Sequence, residues 1–219
     1  MKAFRFWRST VGKKAVMAVT GAIGIGYVIA HSAGNLLVFV GPDAINQYAA
    51  TLKGDLALLW GLRAILIAAF VLHVLAAWQL TLQARAARPV GYAQREPQTS
   101  TWGSRSMRWG GLLLLIFIVL HVLHLTTGAI DPAGVFTKED VYRNLVASFQ
   151  IWWVAAFYIA VMIALGLHLF HGVWSSAKSL GLSRPSPMPL KRRLAWVIAF
   201  GVWAAFTAVP IAIVTGLLR

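Results

Sequence analysis

Read along its hydrophobic and polar positions, the chain alternates between long apolar runs and short polar connections. Five stretches, at about 15 to 40, 56 to 84, 108 to 130, 149 to 177 and 194 to 217, are continuously apolar and reach the roughly 20 residues that a helix needs to cross a bilayer. They lack the period-two alternation of barrel strands, and backbone polar groups in lipid must be satisfied within the segment. The pattern therefore predicts an all-α integral membrane bundle of five transmembrane helices, one domain over residues 1 to 219. The first run follows Lys13 and Lys14 but is too long for the apolar part of a secretory signal and contains His31, so it is expected to be retained.

Composition agrees with this pattern. The residues are 59% hydrophobic and 12% charged, with a mean hydropathy of +0.71, outside the range of soluble globular domains. There is no cysteine, which excludes disulfides, thiolate-held iron–sulfur clusters and thioether-linked heme from this chain.

The net charge of +14 raises the question of nucleic acid, and the distribution of charge answers it. Lys2, Arg5, Arg8, Lys13 and Lys14 precede the first run; Arg85, Arg88, Arg95, Arg105 and Arg108 lie between the second and third; Lys178, Arg184, Lys191, Arg192 and Arg193 lie between the fourth and fifth. Only Glu96 opposes them, whereas the opposite face of the bundle, counting Arg63 and Arg219, carries five of each sign. This is the positive-inside pattern. It predicts a cytoplasmic N-terminus, an external C-terminus, a bacterial cytoplasmic (inner) membrane location, and a basic face suited to anionic membrane lipid or an acidic partner rather than nucleic acid.

All six histidines, His31, His73, His121, His124, His168 and His171, fall inside the predicted spans. Ionisable side chains are costly there and mark functional sites or helix-to-helix hydrogen bonds. At a rise of about 1.5 Å per residue, His73 lies about 18 Å and His168 about 15 Å from the basic anchors, while His31, His121 and His124 lie about 25, about 20 and about 24 Å away. Two layers imply two sites. No Asp or Glu lies within any span, so the usual zinc ligand sets are not offered. Paired imidazoles with apolar walls suit the two axial positions of heme b. His121 and His124 are three apart on one helix and cannot hold one iron between them. Gly24, His31 and Gly34 share a helical stripe, as do His168, Gly172 and Ser175, with Ala69, Ala76 and Ala77 flanking His73; small residues permit a flat ligand and equally permit close helix packing. Trp60, Trp102, Trp109, Trp152, Trp153 and Trp174 fall near the predicted interfaces, as aromatic-belt anchors do.

The segments KKAVMAVTGAIGIGYVIAHSAGNLLVFVGPDAINQYAATL, WGLRAILIAAFVLHVLAAWQL, SRSMRWGGLLLLIFIVLHVLHLTTG and YIAVMIALGLHLFHGVWSSAKSLGL resemble the di-heme cytochrome b membrane anchor of succinate:quinone oxidoreductases, the succinate dehydrogenases and fumarate reductases. HSAGN, SRSMRW and HLFHGVWS carry most of the likeness. The resemblance implies five helices, the first four each supplying one axial ligand: His73 and His168 to the heme nearer the cytoplasm, His31 and His121 to the outer heme. Depth alone slightly favours His124 over His121. His124 and His171 remain candidates for propionate, quinone or interhelical contacts, and Arg105 and Arg108 for propionates of the inner heme.

The resemblance further implies that the chain does not itself act on succinate. FAD and iron–sulfur clusters would sit on a flavoprotein and an iron–sulfur subunit, and electrons would pass through two hemes b to a membrane quinone, menaquinone being the expected one. Arg63, Gln47 and Tyr48, with Asn46 and Tyr158, are the polar groups expected near quinone at the outer boundary. A fumarate reductase anchor and the cytochrome b anchor of a hydrogenase or formate dehydrogenase are the neighbouring alternatives. A small transporter is the alternative outside redox chemistry, although the sequence has neither the repeat symmetry nor the charged midplane site that transporters show.

Overall fold

The computed structural model describes residues 6–87, 102–182 and 189–219. Lys2, Arg5, Arg88, Arg95, Glu96 and Arg184, among the charges considered above, lie outside the described residues. The described chain forms α1 (Thr10–Asn35), α2 (Pro42–Gly54), α3 (Leu56–Ala86), α4 (Trp102–His121), α5 (Val141–Gln150), α6 (Trp152–Ser179) and α7 (Pro189–Val214). A 3₁₀ turn, Leu36–Phe39, extends α1, and a π turn, Val122–Thr126, extends α4. Helices α1, α3, α4, α6 and α7, with these extensions, are long and apolar enough to cross a membrane. The architecture is that of a multi-pass membrane bundle.

The helix ends are written in local chemistry. Ser9 Oγ accepts from the Gly12 N–H at 2.9 Å to start α1. Asp55 closes α2 and starts α3 by accepting from the Leu58 N–H at 2.9 Å, and Asp140 does the same for α5 through Arg143 N–H at 2.9 Å. Such caps satisfy donors that a helix leaves orphaned. Between the 3₁₀ turn and α2 the chain reverses at Gly41, whose φ of 134° is open to glycine alone, and Pro42 then occupies the first helical position, where its fixed φ suits the start of a helix.

Helices α1 and α6 form the centre. α1 packs against α3, α6 and α7, while α6 packs against α1, α4 and α7. α3 and α4 are thereby held on the flanks, and α7 lies across both central helices. At the α6–α7 contact a Cβ on Gly166 would lie 3.6 Å from Trp203, a close approach of the kind small residues allow between membrane helices. Outward faces carry exposed apolar side chains, among them Ile65, Ile67, Val71, Ile116 and Ile163. Exposed tryptophans form two groups, Trp60, Trp152 and Trp153 near one end and Trp78, Trp102, Trp109 and Trp196 towards the other, matching the belts expected at two interfaces.

The two ends of the bundle differ. One gathers Lys13, Lys14, Arg85, Arg105, Arg108, Lys178, Lys191, Arg192 and Arg193 and is called the basic end below. The opposite end is covered by α2 and α5, which fall almost wholly in stretches that the hydropathy pattern left as connections. The fourth apolar run was expected from about 149; the backbone instead breaks at Ile151, extended at ψ 104°, so that α5 ends before α6 begins. α5 turns Leu145, Val146 and Phe149 inward, and with Val38, Ile45, Phe117, Val154 and Tyr158 they make the largest buried cluster.

One polar clasp joins these two covering helices. Asn46 of α2 donates through Nδ2 to Asp140 Oδ1 at 3.0 Å and accepts through Oδ1 from the Tyr142 N–H at 3.1 Å. Asn46, a candidate quinone contact from the sequence, therefore uses both halves of its amide in holding α2 to the start of α5. The Arg143 N–H and then the Asn46 amide hold the Asp140 carboxyl below its ordinary range. A depressed carboxyl stabilises the fold above its unfolded pKa of about 3.9, and the contribution is lost as pH falls through the lower folded value. Asn46→Ala is expected to cost about 1 to 2 kcal/mol, read as a lower thermal midpoint of the detergent-purified chain at neutral pH. The gap between wild type and Asp140→Ala is expected to close on acidification below the ordinary carboxylate range, and a pH-independent gap would remove the carboxylate from the clasp.

Candidate functional site: two facing pairs of histidines

Four of the six histidines meet in two pairs, each bridging helices that do not pack along their length. His31 of α1 faces His121 of α4 with ring centroids 5.9 Å apart and planes at 75°. His73 of α3 faces His168 of α6 at 6.2 Å and 58°. Since α3 is held by α1, and α4 by α6, both pairs span gaps set by the central helices. The His73–His168 pair lies towards the basic end and the His31–His121 pair towards the covered end.

Local chemistry orients the rings. His73 Nδ1 lies 3.1 Å from the Met17 carbonyl and 3.3 Å from Thr20 Oγ1. A carbonyl can only accept, so Nδ1 carries the proton and Nε2 keeps its lone pair. Thr20 is itself anchored by donating to the Val16 carbonyl at 2.7 Å. Gly21 leaves the ring its place, for a Cβ there would sit 3.3 Å from His73 Cε1. On the partner side a Cβ at Gly111 would lie 3.9 Å from His168 Cε1. His168 Nδ1 and His121 Nδ1, like Gln83 Oε1, are buried with no hydrogen-bond partner among the described residues, an unusual state for polar atoms in an apolar interior.

The second pair is walled by rings. Tyr27 stacks on His31 at 5.5 Å and 13°, and Phe206 lies 5.4 Å from the same imidazole. Phe117 and Tyr158 lie 5.6 and 6.0 Å from His121. Asn35 Nδ2 donates to the His31 carbonyl at 3.1 Å and makes a longer contact, 3.4 Å, with His31 Nε2. Gly24 and Gly172, from the small-residue stripes, have open space where a side chain would stand, whereas Gly34 is covered by the Tyr48 ring.

His124 differs from the paired histidines. Its Nδ1 lies 2.9 Å from the Tyr158 hydroxyl and its Nε2 lies 3.0 Å from Ser148 Oγ, so both nitrogens are engaged within the protein. The π turn makes this possible: the Thr127 N–H reaches back five residues to the Val122 carbonyl at 3.0 Å. The wider turn leaves His121 towards α1 and carries His124 towards α5 and α6. Tyr158, expected near the lipid boundary, is instead buried, because its hydroxyl is held by His124 and its ring by Phe117 and Phe149. His171 packs beside Gly103 of α4, one turn nearer the basic end than His168.

Of the arginines, Arg105 and Arg108 are exposed near the start of α4, with Arg105 5.9 Å from the Trp102 ring. Arg63 sits 5.0 Å from the Trp60 ring, and Arg63 and Tyr48 both lie near enough to Tyr27 to act on it electrostatically. Gln47 is exposed, and its carbonyl accepts from Thr51 at 2.9 Å. Tyr27, Met17 and Thr20 were not singled out from the sequence. Their signal was positional only: Tyr27 stands four residues before His31, one helical turn away.

Among the described residues no three His, Asp or Glu side chains cluster as a metal site; each pair offers two imidazoles and no more. Comparison with protein families, curated proteins and solved structures gave no match for this chain.

His124→Ala strands two buried hydroxyls, on Tyr158 and Ser148, and is expected to destabilise the chain by about 1 to 3 kcal/mol. Thermal unfolding in detergent reads the effect, and Tyr158→Phe is expected to move the midpoint in the same direction. An unchanged midpoint in both variants would remove the network from the forces holding α5 to the bundle.

Proposed function

We propose that this chain is the membrane anchor and electron-transfer subunit of a succinate dehydrogenase, binding two hemes b and reducing a membrane quinone. The observation that carries the proposal is the pair of facing imidazoles at each of two depths. A metal–imidazole bond is about 2.0 to 2.1 Å, and a ring nitrogen lies about 1.1 Å from its ring centre, so two imidazoles that both bound one ion would have their centroids no more than about 6.2 to 6.4 Å apart. Both separations found, 6.2 and 5.9 Å, lie within that reach and beyond a direct hydrogen bond between the rings, although edge-on ring packing spans the same distances. The Met17 carbonyl on His73 Nδ1 is the backing that ligating histidines receive, since it leaves the other nitrogen ready to bind. The unpartnered, buried His168 and His121 Nδ1 atoms belong to the same four rings.

Iron held between two imidazoles supplies one-electron transfer. In this proposal His73 and His168 hold the first group and His31 and His121 the second, with His121 preferred to His124 because both His124 nitrogens are already bonded. The basic connections favour a cytoplasmic N-terminus in a bacterial inner membrane, with the basic end docking an iron–sulfur subunit that accepts electrons from a FAD-bearing flavoprotein. Arg105 and Arg108 stand at that end as candidate partners of heme propionates. At the other end, Arg63 and Tyr48 around Tyr27 provide donors for a quinone carbonyl, menaquinone by preference, within one helical turn of His31.

Pyridine hemochrome analysis of the intact complex is expected to give two hemes b per chain, with the iron–sulfur and flavoprotein subunits copurifying. His168→Ala is expected to halve the heme while the chain still inserts; retention of both hemes would transfer the ligand role to another residue, and no heme in the intact complex would end the proposal. Arg63→Leu is expected to lower quinone reduction about tenfold, the worth of one hydrogen bond to a charged group, with heme content unchanged. If Arg105→Leu alone lost turnover while both variants kept their hemes, the quinone site would belong at the basic end.

A further inference from the structure

A second site lies where α1 and α6 meet at the basic end. Val11, Lys14 and Met17 from the first turns of α1, and Ser175, Lys178 and Ser179 from the last turns of α6, line a cleft of about 410 Å³ that opens sideways from the bundle. Its two cations come from different helices. Lys178 arches over the Trp174 ring at 4.5 Å, which keeps its ammonium beside the cleft. The Lys14 side chain leans towards the N-terminus of α1, as helical side chains do, and so towards the membrane surface and away from the histidines. Two serine hydroxyls face two lysines across a volume suited to a small polar head group, and Val11 and Met17 provide an apolar border.

Both helix ends lie at the level where a spanning helix leaves the hydrocarbon and enters the head-group region. Basic pockets between membrane helices at this level recognise anionic lipid head groups. We propose that the cleft binds the phosphate of an anionic phospholipid, with Lys14 and Lys178 pairing the charge, Ser175 and Ser179 donating hydrogen bonds, Val11 bordering the head group and the acyl chains running inward along Met17. The site ties the first and fourth spans together at the surface, below the point where Met17 holds His73. It does not depend on the heme proposal. The carboxylates of a group held between His73 and His168 are the rival anion, and the experiment separates the two.

Native mass spectrometry of the full-length chain in detergent, titrated with phosphatidylglycerol or with phosphatidylcholine of the same acyl chains, reads the preference directly. About 1 kcal/mol per lysine at a membrane surface is about fivefold each, so one phosphatidylglycerol is expected to be retained with about a 25-fold preference. Lys14→Gln with Lys178→Gln is expected to abolish that preference, whereas Lys138→Gln with Arg143→Gln, which removes two charges at the opposite end, is expected to preserve it. Should the double variant fail to fold, Lys14→Gln alone is expected to lower the preference about fivefold. No preference in the wild type, or a preference unchanged by the lysine substitutions, overturns the proposal. Loss of heme with an undiminished lipid preference also overturns it and assigns the cleft to the rival carboxylates.

Discussion

A polar group inside an apolar bundle has to find a partner, and that requirement organises this structure. Within the spans the hydroxyls turn back on their own helices: Ser32 on the Ile29 carbonyl, Thr81 on Ala77 and Thr207 on Trp203. His124 is satisfied twice over by Tyr158 and Ser148. Against that background three buried atoms have no partner among the described residues: Gln83 Oε1 and the Nδ1 atoms of His121 and His168. The two histidine atoms belong to rings that face other imidazoles.

The helices are arranged to keep those rings apart as much as to bring them together. If α3 packed directly on α6, or α1 on α4, the imidazoles would collide or stack. Placing α1 and α6 together in the centre fixes both gaps at once, because each flanking helix is referred to a central one. Glycines adjust the fit: Gly21 and Gly111 leave room beside His73 and His168. α3 buries few of its own side chains, Ala69 and Ala76 among them. Its position therefore rests on its long contact with α1 and on the His73 hydrogen bonds.

Much of this was legible in the amino-acid order. Five runs became five long helices because hydropathy over twenty residues reports burial in lipid whatever the tertiary detail. The two histidine layers followed from counting along those helices. The covering helices were not legible, for a physical reason: α2 and α5 are short and two-faced, so their polar halves dilute the apolar signal and they fall in what hydropathy reads as polar connections. The sequence already separated His121 from His124, while depth alone slightly favoured His124 for the outer pair. In the structure both lie beside Tyr158, but His121 faces His31 whereas His124 bonds to Tyr158 and Ser148 across a π turn that no local composition announces. Tyr158 stands within two turns of the covered end, in keeping with its sequence depth, but depth says nothing about which way a residue points, and its side chain turns into the bundle.

The pairing of distant helices also has a consequence for how the protein is made. His168 follows His73 by 95 positions and His121 follows His31 by 90. At about 5 to 20 residues per second of synthesis, each early imidazole is made some 5 to 20 s before its partner. The Met17 carbonyl and Thr20 hydroxyl that hold His73 belong to α1, which precedes it. The hydrogen bonds that orient this ring therefore need nothing from the fourth span, whereas the facing of the two imidazoles has to wait for it.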